Sequence, residues 1–545
     1  MKQKFKNLYT KKIIMAAILT AMPTIAWAAP SISSPQAPVE KNSTAAAVEN
    51  TAPAAKLPAG TTHFKLQKIV VDPSGLQINL PQLQEELQSF QGRDIDTTGL
   101  AVITARITAW CRTHGYPAAG AYLPSQTASE GTLTVRLLPG KYGKILVDNQ
   151  SALRTESAQR LLRGLKTGAI IRSRSLETAL YNISDLGGVE AAGILSPGAE
   201  VGTSDITVRV RDGRRSSYVL YSENYGSTSS GRYRYGLQAN LADLSGVGDT
   251  LNLSTLLSNH DLRNYSLNYE YPLGSRGTKL NLGISRMDYT LAGALQARGA
   301  NGKADTLSLS ARTPLWHTGK SSLAVSCGYD YRKLTDDLDA FGFDSQKHSH
   351  ALHLGLDGTQ RGTDSLLNYG LTLYTGTIGM DSADARTLDD SSHTAGRYSK
   401  AVLDLKYQQA LDTRWDILMK FSGQKASRNL DSSEEIYLGG ANAVRAYPQG
   451  EGSGDEGWQG TAELRYHTGC PGLVLSTYLD SGHVKLSRDG ENGGETLQGW
   501  GLGVSYNQSN WFARFDYARR IGLSENASEE AKSPQRLWFM LGRLW

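Results

Sequence analysis

Gln535-Arg-Leu-Trp-Phe-Met-Leu-Gly-Arg-Leu-Trp545 closes the sequence and decides its fold. Leu537, Phe539, Leu541 and Trp545 fall on one face of a strand, because side chains alternate across an extended chain. A strand with one apolar face at the end of a chain needs a partner strand and an apolar solvent. An outer-membrane β-barrel supplies both, since its last strand closes against its first. The rival is the edge strand of a soluble sandwich, and the remainder of the chain has to decide.

From Arg214 to Trp545 period-2 alternation dominates. Tyr265, Leu267, Tyr269 and Tyr271 share one face, and Asn264, Ser266, Asn268 and Glu270 the other. Leu352, Leu354 and Leu356 repeat the pattern, as do Leu473, Leu475 and Leu479, and Trp511, Ala513, Phe515 and Tyr517. The alternation predicts sixteen strands, starting near 215, 231, 249, 263, 278, 304, 320, 348, 364, 398, 413, 459, 472, 496, 509 and 535. Long connections are expected at 290–302, 333–347, 376–397, 426–458, 481–495 and 520–534, with short turns at 273–277, 358–362, 411–413, 469–471 and 507–509. Long loops on one side and tight turns on the other suit a transmembrane β-barrel of about 16 antiparallel strands over 214–545. A soluble sandwich has no reason for that asymmetry. The mean hydropathy of −0.36 does not exclude a barrel, because only every second residue meets lipid.

Residues 1–28 read as a secretory signal peptide. Lys2, Lys4, Lys6, Lys11 and Lys12 precede an apolar run over 13–25 and the small-x-small site Ala26-Trp27-Ala28. Residues 29–61 are rich in Ala, Pro, Ser and Thr and read as a linker. The net charge of +5 includes the five signal lysines, so the mature chain is near neutral and no nucleic-acid partner is expected. Cys111, Cys327 and Cys470 form neither a disulfide framework nor a metal-ligand spacing.

Residues 62–213 hold an internal repeat. Asp72 and Asp148 stand 76 apart, and the same offset relates Gly92 to Gly168, Leu100 to Leu176, Ile107 to Ile183 and Trp110 to Leu186. Leu80, Leu83, Leu87 and Phe90 keep helical spacing, as do Leu176, Leu180, Ile183 and Leu186. Each unit reads strand–helix–helix–strand–strand, with Thr134 to Arg136 matching Thr207 to Arg209. The tandem resembles two α+β polypeptide-transport-associated (POTRA) domains, at 62–140 and 141–213.

The longest loop, 426–458, carries Tyr437-Leu-Gly-Gly-Ala-Asn-Ala-Val444-Arg445-Ala446-Tyr447. It resembles the VRGY-type loop of the two-partner secretion transporters, the haemolysin secretion/activation family of the POTRA-plus-barrel superfamily. Glu223-Asn224-Tyr225-Gly226, Gly231-Arg232-Tyr233 and Tyr478-Leu-Asp480-Ser-Gly482 agree with it. The resemblance implies a loop folded into the lumen, with Arg445 meeting Asp480 on the inner wall beside Gly482. Parity supports this pairing, because Leu473, Leu475 and Leu479 outward place Tyr478 and Asp480 inward. The residues alone favour a solvated loop residue at Arg445, and only the resemblance tips the reading to the pair. Ala446 stands where the family pattern often has Gly, which a negative φ tolerates. No convincing amphipathic helix occupies 29–61, so a pore-plugging helix there is not expected.

The resemblance further implies an outer-membrane translocator with periplasmic POTRA domains. It would secrete a large exoprotein of haemolysin, adhesin or toxin type, with or without activation. Client segments would add to sheet edges at 119–123 and 189–195, through Ala119, Tyr122, Val189 and Ile194. Outer-membrane lipid and the barrel-assembly machinery are the other expected partners. The alternatives are an assembly insertase and, further off, a passive porin. No enzyme motif is found, so no catalytic residue, cofactor or metal is expected. His348 and His350 share a strand face that His353 does not, which separates them as ligands. Asp336-Asp337 and Asp389-Asp390 read as solvated turns.

Overall fold

The computed structural model describes residues 48–50, 63–126, 131–489, 493–522 and 529–545. The predicted signal peptide and most of the predicted linker lie outside the described residues.

Two α+β units precede the barrel. The first comprises β1 (Lys68–Asp72), α1 (Leu80–Leu87), α2 (Thr97–Thr113), β2 (Gly120–Tyr122) and β3 (Thr132–Leu138). The second comprises β4 (Lys141–Gln150), α3 (Thr155–Leu162), α4 (Ser173–Ser184), β5 (Val189–Pro197) and β6 (Thr203–Asp212). Their sheets have the same order, β1-β3-β2 and β4-β6-β5, with the first strand parallel to the last. The repeat extends to side chains. Asp72 pairs with Arg136 at 2.9 Å, and its counterpart Asp148 with Arg209 at 3.5 Å. Both pairs are exposed and contribute little stability. The helices do more: Leu83, Leu87, Ile103, Ile107 and Trp110 fill one core, and Leu176, Leu180, Ile183 and Leu186 the other. Asp96 caps α2 by accepting from Gly99 N at 2.7 Å, and that bond holds its carboxyl below the ordinary carboxylate range.

The barrel strands are β7 (Ser216–Glu223), β8 (Arg234–Ala242), β9 (Thr250–Ser258), β10 (Arg263–Leu273), β11 (Thr278–Thr290), β12 (Ala300–His317), β13 (Ser321–Leu338) and β14 (Phe343–Arg361). They continue with β15 (Ser365–Met380), β16 (Gly396–Ala410), β17 (Trp415–Ala426), β18 (Glu456–His467), β19 (Leu473–Lys485), β20 (Gly494–Gln508), β21 (Trp511–Arg520) and β22 (Gln535–Leu544). All sixteen pair with their sequence neighbours in one closed barrel. Closure is antiparallel, from Val219↔Leu544 to Glu223↔Met540. Beyond this ladder Asn224 continues the seam with its side chain, accepting from Phe539 N at 2.8 Å and donating to Leu537 O at 2.9 Å. Leu537, Leu541 and Trp545 face outward, as the terminal alternation predicts.

The distribution of polarity separates a barrel from a sandwich. Leu352, Leu354 and Leu356 are exposed on the outer face, while Asp330, Arg332, Lys347 and Ser349 are buried inside. A water-soluble protein shows the reverse. Trp415, Trp511 and Trp545 lie at the strand ends nearest the α+β units, and Trp458 at the opposite rim, which matches two interfacial girdles. Pro314 sits at a register shift between β12 and β13, where a strand tolerates a missing donor.

Several expectations change. The loop expected at 333–347 is largely strand: β13 runs to Leu338 and β14 starts at Phe343. Asp336 is therefore no solvated turn residue but a buried one, bonded to Tyr289. The 376–397 connection contains an α-helix, α5 (Ala383–Ser392), and Asp389 accepts from Thr394 N and Ala395 N beyond its end. His348 and His350 lie on the outer face, while His353 sits 3.3 Å from Asp330 inside.

The second unit docks on the barrel's short turns. Glu177 of α4 accepts from Gly319 N at 3.0 Å, Thr178 from His317 N at 3.0 Å, and Asp185 O from Lys279 Nζ at 2.7 Å. A Cβ at Gly277 would lie 2.6 Å from Asn182, so glycine permits this close approach.

The two expected client edges differ. β2 pairs only with β3, and no strand covers its outer edge among the described residues, although Ala121 N donates to Thr108 Oγ1 of α2 at 2.9 Å. The outer edge of β5 is taken by Val48–Asn50, in parallel register Val48↔Gly193, Glu49↔Ile194 and Asn50↔Leu195. Part of the predicted linker is thus a strand. Ala119 and Val189 are core residues, Tyr122 is exposed and Ile194 half-buried. The side chains of Ala119 and Val189 are therefore unavailable to a client.

Leu354 lies midway along β14 on the lipid face. Leu354→Arg is expected to destabilise the folded barrel by about 2–4 kcal/mol, read from urea unfolding in lipid vesicles.

Candidate functional site

The connection between β17 and β18 begins as a 3-10 turn at Ser432–Glu434. It continues as a two-stranded ladder of Ile436–Tyr437 with Ser453–Gly454. Leu438 N donates to Gly452 O and Gly439 N to Glu451 O, which extends the ladder into a hairpin. At its tip Val444 N donates to Leu438 O at 2.8 Å and Tyr447 N to Val444 O at 3.1 Å. Leu438, Val444, Arg445, Ala446 and Tyr447 are all buried, with relative exposures of 0–4%. A solvated outer loop would not bury these five side chains together, although Asn442 between them stays exposed. The hairpin is folded into the lumen.

Arg445 holds it there. Its Nε donates to Asp480 Oδ2 and its Nη2 to Asp480 Oδ1, both at 2.8 Å, a bidentate fork. The Arg445 backbone N reaches Asp480 Oδ2 at 3.1 Å. Nη1 donates to Glu463 and to Asp516, each at 3.2 Å. The guanidinium carbon lies 3.1 Å from the centroid of the Tyr478 ring. From the last strand, Trp538 Nε1 donates to the Arg445 carbonyl at 2.7 Å. Arg514 balances the remaining charge, donating to Asp516 at 2.6 Å and to Glu463 at 3.3 Å. Every nitrogen of the Arg445 guanidinium therefore donates to a carboxylate. Removing the cation would leave three buried carboxylates with Arg514 and, near Glu463, Lys420 as the remaining cations, the expensive way to break such a cluster.

Two glycines make the space. A Cβ at Gly482 would lie 2.8 Å from Leu438 Cδ2, and one at Gly499 2.5 Å from the Ala446 methyl. Ala446 is not among the positive-φ residues, so its methyl is unstrained, and the bare backbone of Gly499 receives it. Val444, Arg445, Ala446, Tyr447, Asp480 and Gly482 thus lie together in the lumen. Glu463, Asp516, Arg514, Gly499 and Trp538 were missed. Parity held the signal for most of them: outward Phe515 and Tyr517 put Arg514 and Asp516 inside, and outward Leu537 and Phe539 put Trp538 inside.

A closed barrel with a POTRA-like pair at its mouth and an arginine hairpin in its lumen defines the comparison to make. The family model "Haemolysin secretion/activation protein ShlB/FhaC/HecB" matches residues 202–506. The chain belongs to the haemolysin secretion/activation family. The model "POTRA domain, ShlB-type" matches residues 64–140. Among curated proteins, the heme/hemopexin transporter protein HuxB of Haemophilus influenzae is 25% identical over 464 residues, covering 83% of this chain and 82% of that protein. The outer membrane transporter CdiB of Dickeya dadantii is 22% identical, covering 75% and 74%. The solved structure of CdiB from Escherichia coli superimposes with a TM-score of 0.68 at 19% identity, covering 91% of this chain and 93% of that one. As a haemolysin secretion/activation protein the chain is an outer-membrane transporter of two-partner secretion, with its POTRA region on the periplasmic side.

Arg445→Ala is expected to free the tip, so that residues 439–450 become cleavable by added protease while the barrel keeps its heat-modifiable gel mobility. Gly499→Val should do the same to a lesser degree with every charge retained, because its side chain displaces Ala446.

Proposed function

We propose that this transporter captures one large, unfolded exoprotein in the periplasm and threads it through a barrel that the 426–458 loop keeps closed. The observation that carries this reading is the buried Arg445 hairpin, a removable element occupying the interior of a closed wall. Capture would use strand addition at the edge of β2 that no strand covers, with the client displacing Thr108 Oγ1 from Ala121 N; main-chain hydrogen bonds make modest sequence demands. The edge of β5 would join in once Val48–Asn50 leaves it. Two tethered weak sites raise the client's effective concentration at the barrel mouth.

The client's nature follows from chemistry and from the relatives. An extended, unfolded chain suits edge pairing and a narrow lumen. The relatives are named for heme/hemopexin transport and for hemolysin transport, which supports a large exoprotein of haemolysin, adhesin or toxin type here. The second α+β unit, with the same strand order as the first, acts as a second POTRA domain, and the barrel-assembly machinery inserts the protein. An insertase would use the same parts on membrane clients. A passive porin would leave residues 64–212 without a task.

Arg445→Ala is expected to lower the secreted partner by about tenfold or more, since breaking a buried ion cluster leaves its other members uncompensated. Deleting residues 64–139 should leave the client in the periplasm. Both are read by immunoblot of medium against periplasm. Normal secretion from either variant would end this reading, and depletion of unrelated outer-membrane proteins would favour the insertase.

A further inference from the structure

The lumen loop is fastened at a second place that the Arg445 motif does not include. Just before the hairpin, Asp431 Oδ2 accepts from Lys347 Nζ on β14 at 2.9 Å. Glu434 Oε1 accepts from Arg332 Nη1 on β13 at 2.6 Å, and Glu434 Oε2 lies 2.9 Å from Lys400 Nζ on β16. Lys400 and Gln424 also donate to the Glu434 carbonyl, at 2.8 and 2.9 Å. Asp431 caps its own turn, accepting from Ser433 N at 3.1 Å. Four of the five charged side chains are buried, and Lys400 is nearly so, with exposures of 3–11%.

The two fastenings have opposite polarity and different walls. At the tip the loop presents a cation to carboxylates on β18, β19 and β21. At the root it presents carboxylates to cations on β13, β14 and β16. The loop therefore crosses the lumen as a strap held at both ends. Releasing Arg445 alone leaves residues 427–437 seated among Arg332, Lys347 and Lys400.

We propose that Asp431 and Glu434 are positioning residues forming a second, independent latch, and that the pore opens fully only when both latches release. This rests on the gating reading above. Neutralising the root carboxylates takes from Arg332 and Lys400 the carboxylate they share and leaves Lys347 only Asp336, at 3.9 Å, and so disfavours the closed arrangement. A two-latch gate also constrains the trigger: a client contact that unseats only one end yields a partial opening.

The test is conductance of the full-length protein in planar bilayers, after heat-modifiable mobility verifies a folded barrel. Four proteins are compared: Arg445→Ala, Asp431→Asn with Glu434→Gln, all three changes together, and a deletion of 430–456. The expected result is that Arg445→Ala conducts less than the deletion. The root double variant should raise mean current by about tenfold or more over wild type, and the triple variant should match the deletion. If the double variant does not fold, Glu434→Gln alone takes its place. Two results would overturn the proposal: Arg445→Ala reaching the deletion's conductance by itself, or root variants that conduct as wild type while the deletion opens the pore. A deletion that leaves conductance unchanged would instead overturn the gating reading itself.

Discussion

Backbone amides and carbonyls have no water to bond in hydrocarbon, and that constraint governs everything else in this molecule. It forces the last strand onto the first, and it forces each residue of the wall to face either lipid or lumen. The seam between β7 and β22 is where the constraint is met with least ladder. There Asn224 supplies from its side chain the donor and acceptor that a further strand residue would have supplied from its backbone. Once the wall is closed, its lipid face must be apolar, and the inner face becomes the place for charge.

That inner face is not an undifferentiated polar surface. Carboxylates gather on β18, β19 and β21 and cations on β13, β14 and β16, and the loop bridges them with the matching sign at each end. Ion pairs so deeply buried add little net stability over an apolar filling. Their value lies in geometry. The bidentate Arg445–Asp480 fork, closed by the Tyr478 ring and the Trp538 indole, admits one position of the tip. A hydrophobic plug of equal volume would slide.

How much of this was legible in the sequence depends on the physics of each part. Strand parity is local, so the sixteen strands, the lipid-facing leucines and the inward Asp480 could be read directly. Strand ends could not, because nothing in residues 333–347 distinguishes a hairpin that leaves the membrane from a loop, and the buried setting of Asp336 depends on Tyr289 and Lys347 from neighbouring strands. Tertiary partners of Arg445 beyond Asp480 were hidden for a related reason. Glu463, Asp516 and Trp538 could each be placed inside by alternation, but which of them meet one guanidinium is fixed by barrel closure and shear, which no local pattern carries. The occupation of the β5 edge by Val48–Asn50 lay furthest from view: three residues in a segment of linker composition have no periodicity to read.

The Trp538 hydrogen bond ties the hairpin to the final strand of the chain. In thermodynamic terms the hairpin is a tethered ligand whose binding pocket is incomplete until β22 has zipped into place. A ligand that binds only the finished state stabilises that state by mass action. Seating of the tip therefore adds to the stability of the closed seam, because a barrel with an open seam lacks one wall of the pocket.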